Sequence, residues 1–344
     1  MKYDILRKLK ENAPGYVSGE ALSKSFGISR TAIWKYVGEL RKEGYIVESS
    51  TKKGYRVSSR GEVLNSFELG QDLKTKVLGR NIVYFPELDS TNSYAKKIAS
   101  EGCVDGTAVI ADRQTSGRGR LGRKWESAAG SGIYMSVVLR PHFLMPGVQI
   151  MTIAASVAAV NAIKEVTGIE AGIKWPNDVL LNGRKVCGIL TETELEMDRI
   201  YFLVIGIGIN VNQSDEDFPP FLRDTAISLK MYAESGKVRR SMKGPGEYGF
   251  SRSAIVKRLL FALEQMYDRI NKGFTKDILE EWKKYSVTMG KKVRFEMRDA
   301  AFVGTAWDIT DDGGLVVRCD DGIERRVLSG EVNILRDDGC KDGK

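Results

Sequence analysis

Apolar positions recur at helical spacing through the first part of the chain. Ile5, Leu6 and Leu9 predict a helix across residues 2–11. Ala21, Leu22 and Phe26 form the apolar face of a second, for which Ser18 is the cap. Gly27 and Ile28 make a short turn, and Ser29 caps a third helix running to about Glu43, where Gly44 supplies a stop. On that helix Ile33, Val37 and Leu40 fall on one face, whereas Arg30, Thr31, Trp34, Lys35 and Arg41 lie largely off it. Two short stretches, 45–49 and 54–57, then read as strands joined by the basic tip Thr51-Lys52-Lys53-Gly54.

Residues 59–67 read as a linker. Beyond them strand-like and helix-like patterns alternate: 82–85, a helix at 91–100, 107–112, 133–139, a long helix at about 148–167, then 172–175, 186–193 and 201–212. This mixture predicts an α+β domain around one principal sheet. From about 291 to 335 short strands alternate with tight turns at Asp311-Asp312-Gly313-Gly314 and Asp320-Asp321-Gly322, the pattern of a small β-barrel. The expected domains are 1–62, 63–286 and 287–336, with a tail at 337–344. Residues 235–252, rich in glycine and basic side chains, read as a flexible surface insertion.

Charge sharpens this division. Residues 1–60 hold 13 Lys and Arg against 6 Asp and Glu, a net of +7, while all 344 residues carry +8. Positive charge concentrated on a small helical domain predicts a polyanion partner. Three helices and a two-stranded wing resemble a winged helix-turn-helix. In that reading Ser29, Arg30 and Thr31 meet base edges, Trp34 and Lys35 lie on the same DNA-binding side of the third helix, and Lys52 and Lys53 meet phosphates. A winged helix that mediates only protein contacts is the plainer alternative.

Four scattered cysteines without a CxxC pair argue against a zinc site or disulfide framework and suit a reducing cytoplasm. The single histidine, His142, reads as structural, which leaves little room for Ser-His-Asp or Cys-His catalysis. The opening MKYDILRKLKENAPG has no apolar run of a signal peptide, and the weakly polar stretches 148–163 and 201–211 look too short or too interrupted to span a bilayer. The expectation is a soluble cytoplasmic protein without a membrane partner.

The chemistry centres on Gly117-Arg118-Gly119-Arg120-Leu121-Gly122-Arg123, followed by Trp125. Glycines let backbone approach a ligand, and arginines offer fixed charge and planar donor forks to phosphate and carboxylate. Ser90-Thr91-Asn92 opens a helix where hydroxyls, an amide and free N–H groups gather. Gln114, Lys174-Trp175-Pro176-Asn177-Asp178, the run Gly183–Leu190 with Lys185, and Gly206-Ile207-Gly208-Ile209-Asn210 complete the set. Duller roles exist: Ser90 as a mere cap, Trp125 and Trp175 as core aromatics, Gly206 and Gly208 as aids to strand packing.

The order STN, QTSGRGRLGRKW, KWPND, GRKVCGIL, GIGINVN resembles the biotin protein ligases across nearly the whole chain. With the N-terminal winged helix it looks like the bifunctional class, ligase plus biotin-operon repressor. The resemblance implies a C-terminal SH3-like domain and a two-step reaction: biotin and Mg-ATP give biotinyl-5′-AMP, and a lysine of a biotin carboxyl carrier domain then attacks it. It also implies that Ser90, Thr91, Asn92 and Gln114 meet the ureido ring and that Arg118, Gly119 and Arg120 close over the acyl phosphate. Lys185 meets carboxylate and phosphate, Arg123, Trp125, Asn177 and Asn210 serve the nucleotide, and Asp178 organises the site or assists the acceptor lysine. No residues are assigned to metal. The adenylate is the expected corepressor, driving a homodimer onto operator DNA. Two further readings stand beside it: a ligase whose wing represses nothing, and a transcription factor that only senses biotin.

Overall fold

The computed structural model describes residues 1–58, 62–141, 146–196, 199–237, 249–298 and 300–335. His142, residues 238–248 of the basic glycine-rich segment, Cys340 and Arg336 lie outside these. The chain forms two compact units, Met1–Gln71 and Asp72–Lys344.

The first unit packs α1 (Lys2–Glu11), α2 (Gly19–Phe26) and α3 (Arg30–Lys42) against a hairpin of β1 (Val47–Ser50) and β2 (Gly54–Val57). Ile5, Leu6, Leu9, Leu22, Ile33, Val37 and Leu40 are fully buried together. Ser18 and Ser29 cap α2 and α3 by accepting from Ala21 N and Ala32 N at 3.0 and 3.1 Å. Gly27 takes φ +65° in the left-handed turn that ends α2. Two expectations need correction. Ala21 is exposed, leaving Leu22 and half-buried Phe26 to carry α2. Residues 65–67 are no linker: Asn65 caps α4 (Ser66–Gly70), Phe67 stacks on Tyr3 at 4.3 Å, and Glu68 pairs with Lys10.

In the second unit a seven-stranded sheet combines β3 (Ile82–Leu88), β4 (Ala108–Gln114), β5 (Gly132–Leu139), β6 (Gly172–Lys174), β7 (Asp178–Leu181), β8 (Arg184–Glu196) and β9 (Arg199–Asn210). The order is β3-β4-β5-β9-β8-β7-β6, parallel only between β3 and β4. The connection from β3 to β4 runs through α5 (Thr91–Ser100), whose Ala95 and Ala99 pack on Val109, Val138, Phe202 and Val204. The opposite face is covered by α6 (Pro146–Thr167), with Thr152 bonded to Thr191 at 2.8 Å. By length and composition Gly147–Thr167 is apolar enough to cross a membrane, contrary to the sequence expectation. Its most apolar window is 72% buried, which identifies it as a core helix. Following α7 (Leu229–Tyr232), α8 (Arg252–Asn271) and α9 (Thr275–Tyr285) pack on it.

The chain ends in an antiparallel five-stranded sheet of β10 (Lys292–Met297), β11 (Ala300–Ile309), β12 (Leu315–Cys319), β13 (Glu324–Val327) and β14 (Val332–Ile334), ordered β13-β12-β11-β10-β14. Gly313 and Gly322 turn the hairpins with φ +86° and +83°. The Gly313 carbonyl accepts from Trp175 Nε1 at 3.0 Å, fixing this sheet beside the turn between β6 and β7.

Candidate active site

One cavity of about 490 Å³ opens at the face of the large sheet. Its floor is made by absent side chains. Gly188 on β8 and Gly206 and Gly208 on β9 share one face, as alternate strand positions must. A methyl group on Gly206 would collide with Asn92 Oδ1, and one on Gly208 with the Trp125 indole. These glycines therefore admit two polar or aromatic side chains onto the sheet itself.

Ser90, Thr91 and Asn92 open α5, and all three are buried. Ser90 is both a helix cap, accepting from Ser93 N, and part of the cavity wall. Gln114, at the end of β4, accepts through Oε1 from Thr91 N and Thr91 Oγ1 at 2.8 and 3.1 Å. Its Nε2 donates to Ser127 Oγ at 3.1 Å. The fully buried Ser136 hydroxyl of β5 lies within hydrogen-bond distance of Thr91 Oγ1 and Asn92 Oδ1, at 2.8 and 2.6 Å. Hydroxyls and amides held this way offer a ligand fixed donors and acceptors.

The same cavity is lined by cations. The Arg/Gly loop joins β4 to β5. Arg120 reaches in to donate to Asn177 Oδ1 at 3.0 Å, and burial lowers its guanidinium pKa, though an arginine remains charged. Lys185 pairs with Asp178 at 2.6 Å and lies 5.6 Å from the centre of the Trp125 ring. The buried Trp125 Nε1 has no hydrogen-bond partner among the described residues. Asn177 Nδ2 is anchored on Ile189 O at 2.9 Å, and Asn210 Nδ2 on Ile227 O at 3.3 Å. Arg118 faces Glu192 at 3.3 Å, while exposed Arg123 pairs with Glu331, just before β14, at 2.6 Å.

All the residues expected for ligand binding or chemistry line this cavity: Ser90, Thr91, Asn92, Gln114, Arg118, Gly119, Arg120, Arg123, Trp125, Asn177, Asp178, Lys185 and Asn210. Trp175 also lines it, but at 1% exposed it is chiefly a core aromatic. Sequence reading missed Ser136, Glu192 and Glu331. The first two had a signal: β5 and β8 alternate, so Ser136 sits opposite Gly206, and Glu192 shares the face of Gly188 and Leu190. Glu331 had none, because its partner Arg123 is distant in sequence.

The residues expected to face DNA all lie in the first unit. Ser29, Thr31, Lys35, Lys52 and Lys53 are exposed, and Trp34 is 65% exposed. Arg30 pairs with Glu20 at 2.8 Å, and Arg41 donates to Val47 O, tying α3 to the wing.

Fold and site together define a helix-turn-helix module and an α/β domain with one cavity lined by hydroxyls, amides and cations. Known proteins agree. Residues 84–210 match the biotin/lipoate A/B protein ligase family, 2–56 an HTH domain, and 288–335 the biotin protein ligase C-terminal domain. The bifunctional ligase/repressor BirA of Bacillus subtilis (strain 168) is 38% identical, covering 97% of this chain and 98% of that one. Its Escherichia coli (strain K12) namesake is 27% identical over 92% of each. The biotin protein ligase of Aquifex aeolicus in complex with biotin and ATP superposes with a TM-score of 0.60 at 29% identity, over 75% of this chain and 99% of that one. The chain belongs to the biotin protein ligase family.

Proposed function

We propose that this chain adenylates biotin and transfers it to a lysine of a carboxylase carrier domain, and that biotinyl-5′-AMP makes it a repressor of biotin genes. The observation that carries the enzymatic part is one cavity lined both by amides and hydroxyls and by Arg118, Arg120 and Lys185. In the first step a biotin carboxylate oxygen bonds to the α-phosphorus of ATP, and pyrophosphate leaves. Two anions must meet, and fixed cations lining the cavity lower that cost. Lys185 and Arg120 are placed to do so, with Asp178 holding the Lys185 ammonium.

Ser90, Thr91, Asn92 and Gln114 take the ureido ring. Trp125, Asn177, Asn210 and Arg123 take the nucleotide, the indole offering a face for adenine. In the second step the acceptor lysine attacks the acyl carbon and AMP departs, with Asp178 the carboxylate available to receive a proton. Among the described residues no three His, Cys, Asp or Glu side chains gather to hold a metal ion. Mg²⁺ would enter with the ATP phosphates, which suits its preference for phosphate and water ligands.

The regulatory part rests on the basic first unit with exposed Arg30, Thr31, Trp34 and Lys35 on α3. A helix-turn-helix domain reading a two-fold site implies a homodimer of the adenylate-bound form. A cytoplasmic setting follows from the carboxylase acceptor.

The test is biotin-dependent exchange of pyrophosphate into ATP. The wild type should exchange, and Lys185→Ala should lose about a hundredfold or more, the scale of a removed electrostatic stabiliser. Equal rates would refute the role of Lys185, and absence of exchange in the wild type would refute the enzyme.

A further inference from the structure

The Asn92 carboxamide is turned by its neighbours. Its Nδ2 donates to Glu192 Oε2 at 3.0 Å, and an ionised carboxylate offers acceptors only. Its Oδ1 accepts from Ser136 Oγ at 2.6 Å and lies over Gly206 on the cavity floor. Glu192 does more than this. Its Oε1 faces Arg118 Nη1 at 3.3 Å and Lys96 Nζ at 3.4 Å, and its side chain is only 17% exposed. One carboxylate on β8 thus ties the ring end of the cavity to the first arginine of the Arg/Gly loop.

We propose that Glu192 is a positioning residue with two effects. It fixes the Asn92 amide so that an acceptor, and not a donor, faces the ligand ring, and it anchors Arg118 so that the loop stays closed over the adenylate. The inference rests on the reading that biotin binds here, since a ureido ring presents N–H donors to such an acceptor. It differs from a merely stabilising ion cluster in separating two observables, ring affinity and adenylate retention.

The experiment uses the full chain as wild type, Glu192→Ala and Glu192→Gln. Calorimetry measures binding of biotin and of biotin methyl ester, which keeps the ring and loses the carboxylate charge. A second assay follows release of preformed biotinyl-5′-AMP. In Glu192→Ala both ligands should weaken by the same factor, about tenfold, the scale of one hydrogen bond to a charged group. Glu192→Gln keeps an oxygen opposite Asn92 Nδ2, so ring affinity should return to within about threefold of wild type. It cannot hold the Arg118 charge, so adenylate should escape about tenfold faster from both variants.

Wild-type affinities in Glu192→Ala, no rescue by glutamine, or wild-type release from Glu192→Gln would each overturn the proposal. If Glu192→Ala fails to fold, Glu192→Gln decides alone through its release rate. If the wild type binds neither ligand, the biotin reading itself falls and takes this inference with it.

Discussion

Gly206 and Gly208 show how much of this site is made by what is missing. Each sits two residues from the other on β9, and each leaves room for a different side chain: Asn92 above Gly206, Trp125 above Gly208. A single methyl group should therefore separate the two halves of the ligand. Gly206→Ala displaces Asn92 and should weaken biotin about tenfold with little effect on ATP. Gly208→Ala displaces the Trp125 indole and should weaken ATP by a similar factor, because overpacking a fixed wall costs about 1–3 kcal/mol. Calorimetry with each ligand checks this. If both variants lose both ligands equally, the division of the cavity into ring and nucleotide ends is wrong.

At the scale of elements, the proposed function divides the labour of DNA binding between α3 and the wing. Arg41 is committed to the β1 carbonyl of Val47, so it is a structural cation and not a reader. Lys52 and Lys53 are exposed at the hairpin tip, and neither has an ion-pair partner among the described residues. Replacing both by alanine should weaken binding to all sequences alike and reduce the salt slope by about 2. Trp34→Ala removes no charge and should instead alter sequence preference at one position. Titrations at several salt concentrations distinguish these outcomes. A changed sequence preference in the lysine variant would mean that the wing touches bases.

At the scale of the whole molecule, the proposal couples two compact units, Met1–Gln71 and Asp72–Lys344, through one small ligand. Selection of genomic fragments by the purified protein tests that coupling. With biotin and Mg-ATP together, one palindromic site should be enriched, and sedimentation of the same mixture should show a dimer. Either ligand alone should give neither result. Ligand-independent enrichment would indicate DNA binding uncoupled from adenylation. The absence of any enrichment at moderate salt, where nonspecific binding is suppressed, would leave a ligase that does not repress.

The sequence by itself determined what local spacing controls. Apolar periodicity placed α1, α2, α3 and α5, because one stripe of each helix must face a core. Ser18 and Ser29 announced their helices because a hydroxyl there satisfies a free N–H. The Arg/Gly loop, the turn at 174–178 and the β9 glycines named the cavity, since their chemistry is carried by residue types in a short order. Tertiary structure decided what depends on long-range pairing. Residues 65–67 turned from linker into packed structure through Phe67 stacked on Tyr3 and Asn65 donating to the Tyr45 hydroxyl. The helix Pro146–Thr167 is long and apolar because sheet and helices bury it, which its own composition cannot state. Glu192 and Glu331 joined the site only when strand alternation and the connection from β13 to β14 brought carboxylates to Arg118 and Arg123. An ion pair depends on distance in space, and that distance exists only once the sheet has formed.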